Sequence, residues 1–233
     1  MTAYKENYFD LAAKNFGENS ISAWQFKIGL KTPLFIHKQA HSGLYLGYRM
    51  SAYWDIQADS APFRDINHNP SLFWLSNSPK IGGLLAGYEV GIEHISNGAD
   101  NTSTGPLGTG TNRSRSVDIA VFAEPKIALL GKKLIYHPKI WIPHGTRENP
   151  AIRHEWGLLW NTLTYSDVME ISTKGNPFDK GLASVKFHVG LSKDSPGLKG
   201  SLTLFNGFGD GLLEYQQRRT WLRLGLSFSL YSN

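Results

Sequence analysis

Strict alternation of apolar and polar residues constrains this chain more than any other feature. Every even position of the segment 44–54 is apolar, and the segments 24–31, 185–192 and 221–230 follow the same period of two. Successive side chains of a β-strand point to opposite faces, whereas an amphipathic helix would repeat about every 3.6 residues. The sequence therefore predicts an all-β fold in which each strand has one apolar face and one polar face.

The length of these segments bears on the architecture. Several run for roughly 9–11 residues, which is long for a soluble strand and is what a tilted strand needs to cross a bilayer. At roughly 18–20 residues for each strand and its turn, the chain holds about 12 strands. We predict one domain over residues 1–233, a single antiparallel transmembrane β-barrel. The short N-terminal segment, about residues 1–18, is the one part that need not belong to the barrel.

A soluble sandwich or lipocalin-like barrel, with its apolar rows facing inward, is the alternative that alternation leaves open. Two observations favour the membrane barrel, whose apolar rows face lipid. The 7 Trp and 10 Tyr residues, many of them near strand ends, suit the aromatic girdles of such barrels. The polar rows also carry the charges expected of a lumen: Lys27, Arg49, Glu89, Glu93, Lys186 and Arg223.

Composition excludes several classes of protein. The net charge of +5 is spread along the chain rather than clustered, so we expect no nucleic-acid partner. The absence of cysteine excludes disulfides, thiolate metal sites and a Cys nucleophile. No apolar run is long enough for a transmembrane helix. The N-terminus lacks the pattern of a signal peptide, which fits either a cytoplasmic protein or a mature chain whose signal has been removed.

A histidine and a serine share one face at the end of a predicted strand. His94 and Ser96 are two residues apart and continue the apolar row of Val90 and Ile92. Polar groups on an apolar face cost free energy, which suggests that they have a function there. A serine nucleophile needs a nearby base, and the base needs a partner that fixes its tautomer.

Residues near His94 and Ser96 could serve as the partner of the histidine and as the donor that stabilises the oxyanion. Asp118 begins the next alternating run, so a hairpin would bring it beside His94. Gly98 follows Ser96 closely, and glycine lets a backbone N–H approach a developing oxyanion. Each feature alone is ordinary: a surface histidine, a strand-end aspartate or a turn. Their proximity on one face raises the hypothesis of a catalytic serine.

The residues around this face resemble the outer-membrane phospholipase A family of Gram-negative bacteria. The similarity runs from about Glu6 to the C-terminus. It is carried by the segments 87–98 (GYEVGIEHISNG), 114–116 (SRS), 60–67 (SAPFRDIN), 69–70 (NP), 139–141 (KIW) and 207–215 (GFGDGLLEY).

This resemblance implies a 12-stranded barrel of the outer membrane that hydrolyses acyl esters of membrane phospholipids with Ca²⁺ and is active as a homodimer. It implies that Ser96 is the nucleophile, His94 the general base and Asp118 the orienting residue, with the amide of Gly98 in the oxyanion hole. Calcium would bind near Ser114 and the backbone at Ala99, and Ser60 of the partner subunit would supply a further carbonyl. A passive pore or structural barrel without catalysis is the alternative function.

Three departures from the family pattern are visible. Asp118 stands where the family has asparagine, which places a charge near the lipid boundary. The loop between Gly98 and Ser114 is longer than in the family by about ten residues, which affects how calcium would be held. Met50 stands where the family has a glutamine on the dimer face, so the strength or register of the dimer is expected to differ.

Overall fold

The alternating segments form long strands in the computed structural model. It describes residues 2–5, 7–16, 24–77, 84–99, 114–130, 133–146, 149, 152, 157–166, 168–178, 181–190 and 198–228. The strands are β1 (Thr2–Ala3), β2 (Tyr8–Asn15), β3 (Trp24–His37), β4 (Ser42–Trp54), β5 (Phe63–Ser76), β6 (Leu85–Ser96), β7 (Ser116–Leu129), β8 (Leu134–His144), β9 (Leu159–Tyr165), β10 (Met169–Asn176), β11 (Gly181–Gly190), β12 (Leu198–Gly207) and β13 (Arg219–Phe228).

Neighbouring strands pair antiparallel from β3 to β13, and the ring closes when β2 pairs with both β13 and β3. Within the described residues, the twelve strands β2 to β13 thus form a closed barrel, and β1 adds to the edge of β3. The prediction of an antiparallel barrel of about 12 strands is confirmed. Both β1 and β2 fall within the N-terminal segment 1–18, and β2 is a barrel strand paired along β13.

The two faces of the barrel differ as the alternation predicted. On β6, Val90 and Ile92 point outward and are exposed, while Glu89 and Glu93 point into the lumen and are buried. Outward apolar residues recur on other strands, among them Val121, Ile140, Leu204 and Leu224. Within the described ranges, no helix is long and apolar enough to cross a membrane.

The lumen is filled by ion pairs and aromatic rings. The Glu93 carboxylate lies 2.9 Å from Lys139 Nζ and 3.1 Å from Arg49 Nη2. Arg223 pairs with Asp10 and Asp210 on the other side of the barrel. Burying a charge is costly unless it is paired, so this network lets charged rows occupy the interior.

The segment between β12 and β13 also closes one end of the barrel. Leu212 and Tyr215 in this segment are buried among the aromatic side chains of the lumen. The amides of Leu212 and Leu213 donate to the side chains of Asn67 (3.0 Å) and Asp65 (2.9 Å) on β5. This end is the one at which β6 finishes and β7 begins, because antiparallel strands alternate in direction around the barrel.

Changing Glu93 to Gln is expected to destabilise the barrel by about 3 kcal/mol, because it leaves the buried Lys139 ammonium and the Arg49 guanidinium without their carboxylate. Equilibrium unfolding in urea and detergent micelles, followed by Trp fluorescence, measures the change. Glu170→Gln is the matched control, since the pair of Glu170 with Lys186 is more exposed and should contribute less than about 1 kcal/mol. Equal losses in the two variants would contradict the expectation.

Candidate active site

His94 and Ser96 lie on the outward side of β6 at its last residues. Both side chains are half-buried and belong to the row of Val90 and Ile92, which are 45% and 42% exposed. Their chain neighbours Glu93 and Ile95 point inward and are buried. The structure therefore places the histidine and the serine on the lipid side of the barrel, next to the end of the strand.

A β-bulge brings the chain of β7 to His94. Glu93 pairs with Ala120 and Ile95 pairs with Val117, so that two residues of β7, Asp118 and Ile119, lie opposite one residue of β6. Both residues of the bulge are exposed on the outer side, whereas Val117 and Ala120 are fully buried. Bulges of this kind re-aim groups beside functional sites.

The bulge places a backbone oxygen against the imidazole. His94 Nδ1 lies 3.0 Å from the carbonyl oxygen of Asp118. A carbonyl only accepts hydrogen bonds, so Nδ1 carries the proton and Nε2 keeps its lone pair. His94 is thereby held in the tautomer that a general base requires.

The carboxylate of Asp118 lies elsewhere. It packs against Gly145 beyond the end of β8, where a methyl group added to the glycine would come within 2.1 Å of Asp118 Oδ2. The backbone amide of Asp118 also donates to the Gly145 carbonyl at 3.4 Å. Asp118 thus contacts His94 through its main chain, and its side chain points toward the neighbouring strand.

The turn after Ser96 is held by one buried side chain. Asn97 is 2% exposed, and its Oδ1 accepts from the amides of Ala99 (3.3 Å) and Arg115 (3.0 Å). Its own amide donates to the Arg115 carbonyl at 3.0 Å. Gly98 has φ +64°, a conformation that glycine adopts without steric cost. The two ends of the β6–β7 loop are therefore tied together beside Ser96, while residues 100–113 lie outside the described residues.

The predicted calcium ligands lie at the same end of the barrel. Ala99 and Ser114 are brought together by the Asn97 turn, and Ser60 is exposed on the loop between β4 and β5. Their carbonyl and hydroxyl oxygens are of the kind that a hard cation takes, although they carry no charge. Among the residues that the structure describes, no three His, Asp or Glu side chains cluster as a metal site.

Two residues near the site were missed by sequence reasoning. Asn69 of β5 is buried, and its Nδ2 donates to the His94 carbonyl at 2.6 Å, which supports the strand from the lumen side. Asn97 has no assigned role in the segment 87–98, yet its side chain accepts from the amides of Ala99 and Arg115 at the two ends of the β6–β7 loop. An asparagine in a polar row looks like any other lumen residue, so only the cross-strand contacts reveal these roles.

The profile of the family described as Phospholipase A1 matches residues 4–229. No curated protein sequence matched the chain.

Solved structures match over nearly the whole chain. Outer membrane phospholipase A from Escherichia coli has 20% identity and a TM-score of 0.81, covering 97% of this chain and 90% of its own. An asparagine-to-alanine active-site mutant of that protein, at pH 6.1, gives the same values. The calcium-bound dimer of the Salmonella typhi outer membrane phospholipase has 20% identity and a TM-score of 0.82, covering 98% of this chain and 92% of its own.

The solved structures show the shared barrel fold, and the profile match spans almost all of the sequence. The chain therefore belongs to the phospholipase A1 family.

Proposed function

We propose that the protein is a calcium-dependent serine hydrolase that cleaves sn-1 or sn-2 acyl esters of membrane phospholipids on the lipid-facing side of its barrel. The observation that carries this proposal is the hydrogen bond from His94 Nδ1 to the Asp118 carbonyl, made on the outer face two residues from Ser96. A base with a defined tautomer at the membrane boundary has little use in a structural barrel.

In the first half of the reaction, His94 Nε2 takes the proton of the Ser96 hydroxyl, and Oγ attacks the ester carbonyl carbon. The amide of Gly98 donates to the oxyanion that forms. His94 then gives its proton to the glycerol oxygen as the ester bond breaks, so that a lysophospholipid leaves and the acyl group remains on Ser96.

In the second half, His94 Nε2 takes a proton from water, which attacks the acyl-enzyme carbonyl. The bond to Ser96 Oγ breaks, His94 returns the proton to Oγ, and a fatty acid is released. The imidazolium formed in each half is stabilised by its hydrogen bond to the Asp118 carbonyl.

The residues at the site fit calcium in their chemistry, since Ala99 and Ser114 offer neutral oxygens at the two ends of the loop that Asn97 ties together. Bound there, Ca²⁺ would supply positive charge to the developing oxyanion. The Salmonella typhi relative is a dimer with bound calcium, which supports a homodimer here, with Ser60 of the partner subunit as a further ligand.

The lengths of the loops at the two ends of the barrel indicate in which leaflet of the membrane the active site lies. Among the fully described connections, residues 55–62 and 208–218 join strands at the site end, whereas the four residues 38–41 join β3 to β4 at the other end. Outer-membrane barrels have long extracellular loops and short periplasmic turns. We therefore place Ser96 at the outer leaflet.

Changing Asp118 to Asn is expected to keep kcat within about fivefold of the wild type, because the backbone carbonyl still holds Nδ1–H. In serine hydrolases whose aspartate carboxylate itself holds the histidine Nδ1–H, the change to asparagine imposes the wrong tautomer. That change lowers kcat by about 10⁴-fold. Initial rates on a phospholipid in detergent, with Ca²⁺ present, measure the effect. A loss as complete as that of Ser96→Ala would show that the charge of Asp118 is required.

The proposal as a whole is tested by the hydrolysis of phospholipid in detergent with and without Ca²⁺, using the wild type and the Ser96→Ala variant. Activity that needs both the serine and the metal supports it. A protein that hydrolyses phospholipid without Ser96 would overturn it.

A further inference from the structure

A second histidine lies beside Ser96 on the lipid-facing surface. His68 of β5 is the cross-strand partner of Ser96, and Met50 of β4 is the partner of His68 on its other side. Directly opposed residues in neighbouring strands have side chains on the same face, close enough to touch. His68 is half-buried and stands in an outward row that includes the exposed Leu72.

His68 is held by a tyrosine. The hydroxyl of Tyr48 lies 2.6 Å from His68 Nδ1, and the two ring centroids are 6.2 Å apart. A phenol is the better donor of the two groups and an imidazole nitrogen the better acceptor, so the hydroxyl donates to Nδ1. The remaining nitrogen, Nε2, then carries a hydrogen.

The free edge of His68 faces the turn that follows Ser96. A methyl group placed on Gly98 would lie 3.9 Å from His68 Cδ2 and 4.0 Å from Nε2. Apart from the chain neighbours of Gly98, no other side chain of the described residues comes within 4 Å of that position. The Nε2–H group is therefore next to the glycine whose amide is proposed to meet the oxyanion.

We propose that His68 is a catalytic residue that donates a second hydrogen bond, from Nε2, to the oxyanion formed when Ser96 attacks the ester, with Tyr48 as the positioning residue that fixes its tautomer. This inference rests on the proposed function. Donors aimed at developing charge act most strongly in a site that excludes water, as the lipid-facing side of a barrel does.

The test compares His68→Phe with His68→Gln in the full-length protein, in detergent with Ca²⁺ and a phospholipid substrate. Phenylalanine keeps an aromatic ring but has no donor, and we expect kcat to fall about 100-fold with KM nearly unchanged. Glutamine offers an N–H near the position of Nε2 and should recover at least about tenfold of that loss. Tyr48→Phe should lower kcat by about tenfold, since the tautomer of His68 is then no longer fixed.

The matched control is His37→Phe, which makes the same change at an exposed histidine at the far end of the barrel, and it should leave kcat unchanged. Heat-modifiable migration on gels verifies that each variant folds. Wild-type kcat in His68→Phe, a change in KM alone, or equal losses in the phenylalanine and glutamine variants would each overturn the role of His68. Those results, combined with an inactive Ser96→Ala, would leave the proposed serine mechanism standing.

Discussion

Replacing Ser96 with alanine is expected to lower phospholipid hydrolysis by about 10⁵-fold while the barrel stays folded. Removing the nucleophile of a serine hydrolase removes the covalent route, and only residual stabilisation of the transition state is left. Ser96 is half-buried on the outer face, so losing its hydroxyl disturbs little packing. Initial rates of fatty-acid release in detergent with Ca²⁺ measure the loss, and heat-modifiable gel migration measures folding.

The control for this variant is Ser227→Ala, which removes a half-buried serine hydroxyl from β13 at the opposite end of the barrel. Its activity should equal that of the wild type. If Ser96→Ala kept more than about a tenth of the activity, another group would be the nucleophile and the assignment of His94 as its base would be wrong.

Removal of calcium is expected to lower activity by at least about 100-fold. Losing the positive charge that bound Ca²⁺ would supply to the oxyanion should cost about as much as losing one hydrogen-bond donor of the oxyanion hole. The ligands proposed at Ala99 and Ser114 are neutral oxygens, and a calcium site with few charged ligands binds the ion weakly. We therefore expect half-maximal activity at about 10⁻⁴–10⁻³ M Ca²⁺. A titration of Ca²⁺ into chelated, detergent-solubilised protein measures both quantities.

Two further observations make the calcium experiment decisive. Adding Ca²⁺ back in excess of the chelator should restore the full rate, and the far-UV circular dichroism of the barrel should stay constant throughout. Full activity in the presence of chelator would contradict the proposed role of calcium. Irreversible loss would indicate damage to the barrel instead.

The sequence reasoning succeeded where the physical signal is local. Alternation predicted the faces of β6, including the outward direction of Val90 and the inward direction of Glu93, and the structure agrees. The same rule placed His94 and Ser96 on one face. A side chain's face depends only on its parity within the strand, so it can be read without knowing which strand lies next to it.

The pairing register between β6 and β7 could not be predicted from the alternation. The hairpin of β6 and β7 was expected to bring the Asp118 carboxylate to His94, but the β-bulge presents the backbone carbonyl instead and leaves the carboxylate beside Gly145. One extra residue in a strand shifts every partner beyond it, and nothing in the alternation of either strand marks where the extra residue falls.

The sequence by itself determined the all-β fold, the lipid-facing side of each strand and the pair His94 and Ser96, because each of these follows from the period of two along one strand. Only the tertiary structure decided which groups from other strands meet that pair: the Asp118 carbonyl, the Asn69 amide and the imidazole of His68. These contacts join residues 24–28 positions apart in the chain, and their geometry is set by barrel closure and strand register, which no single strand encodes.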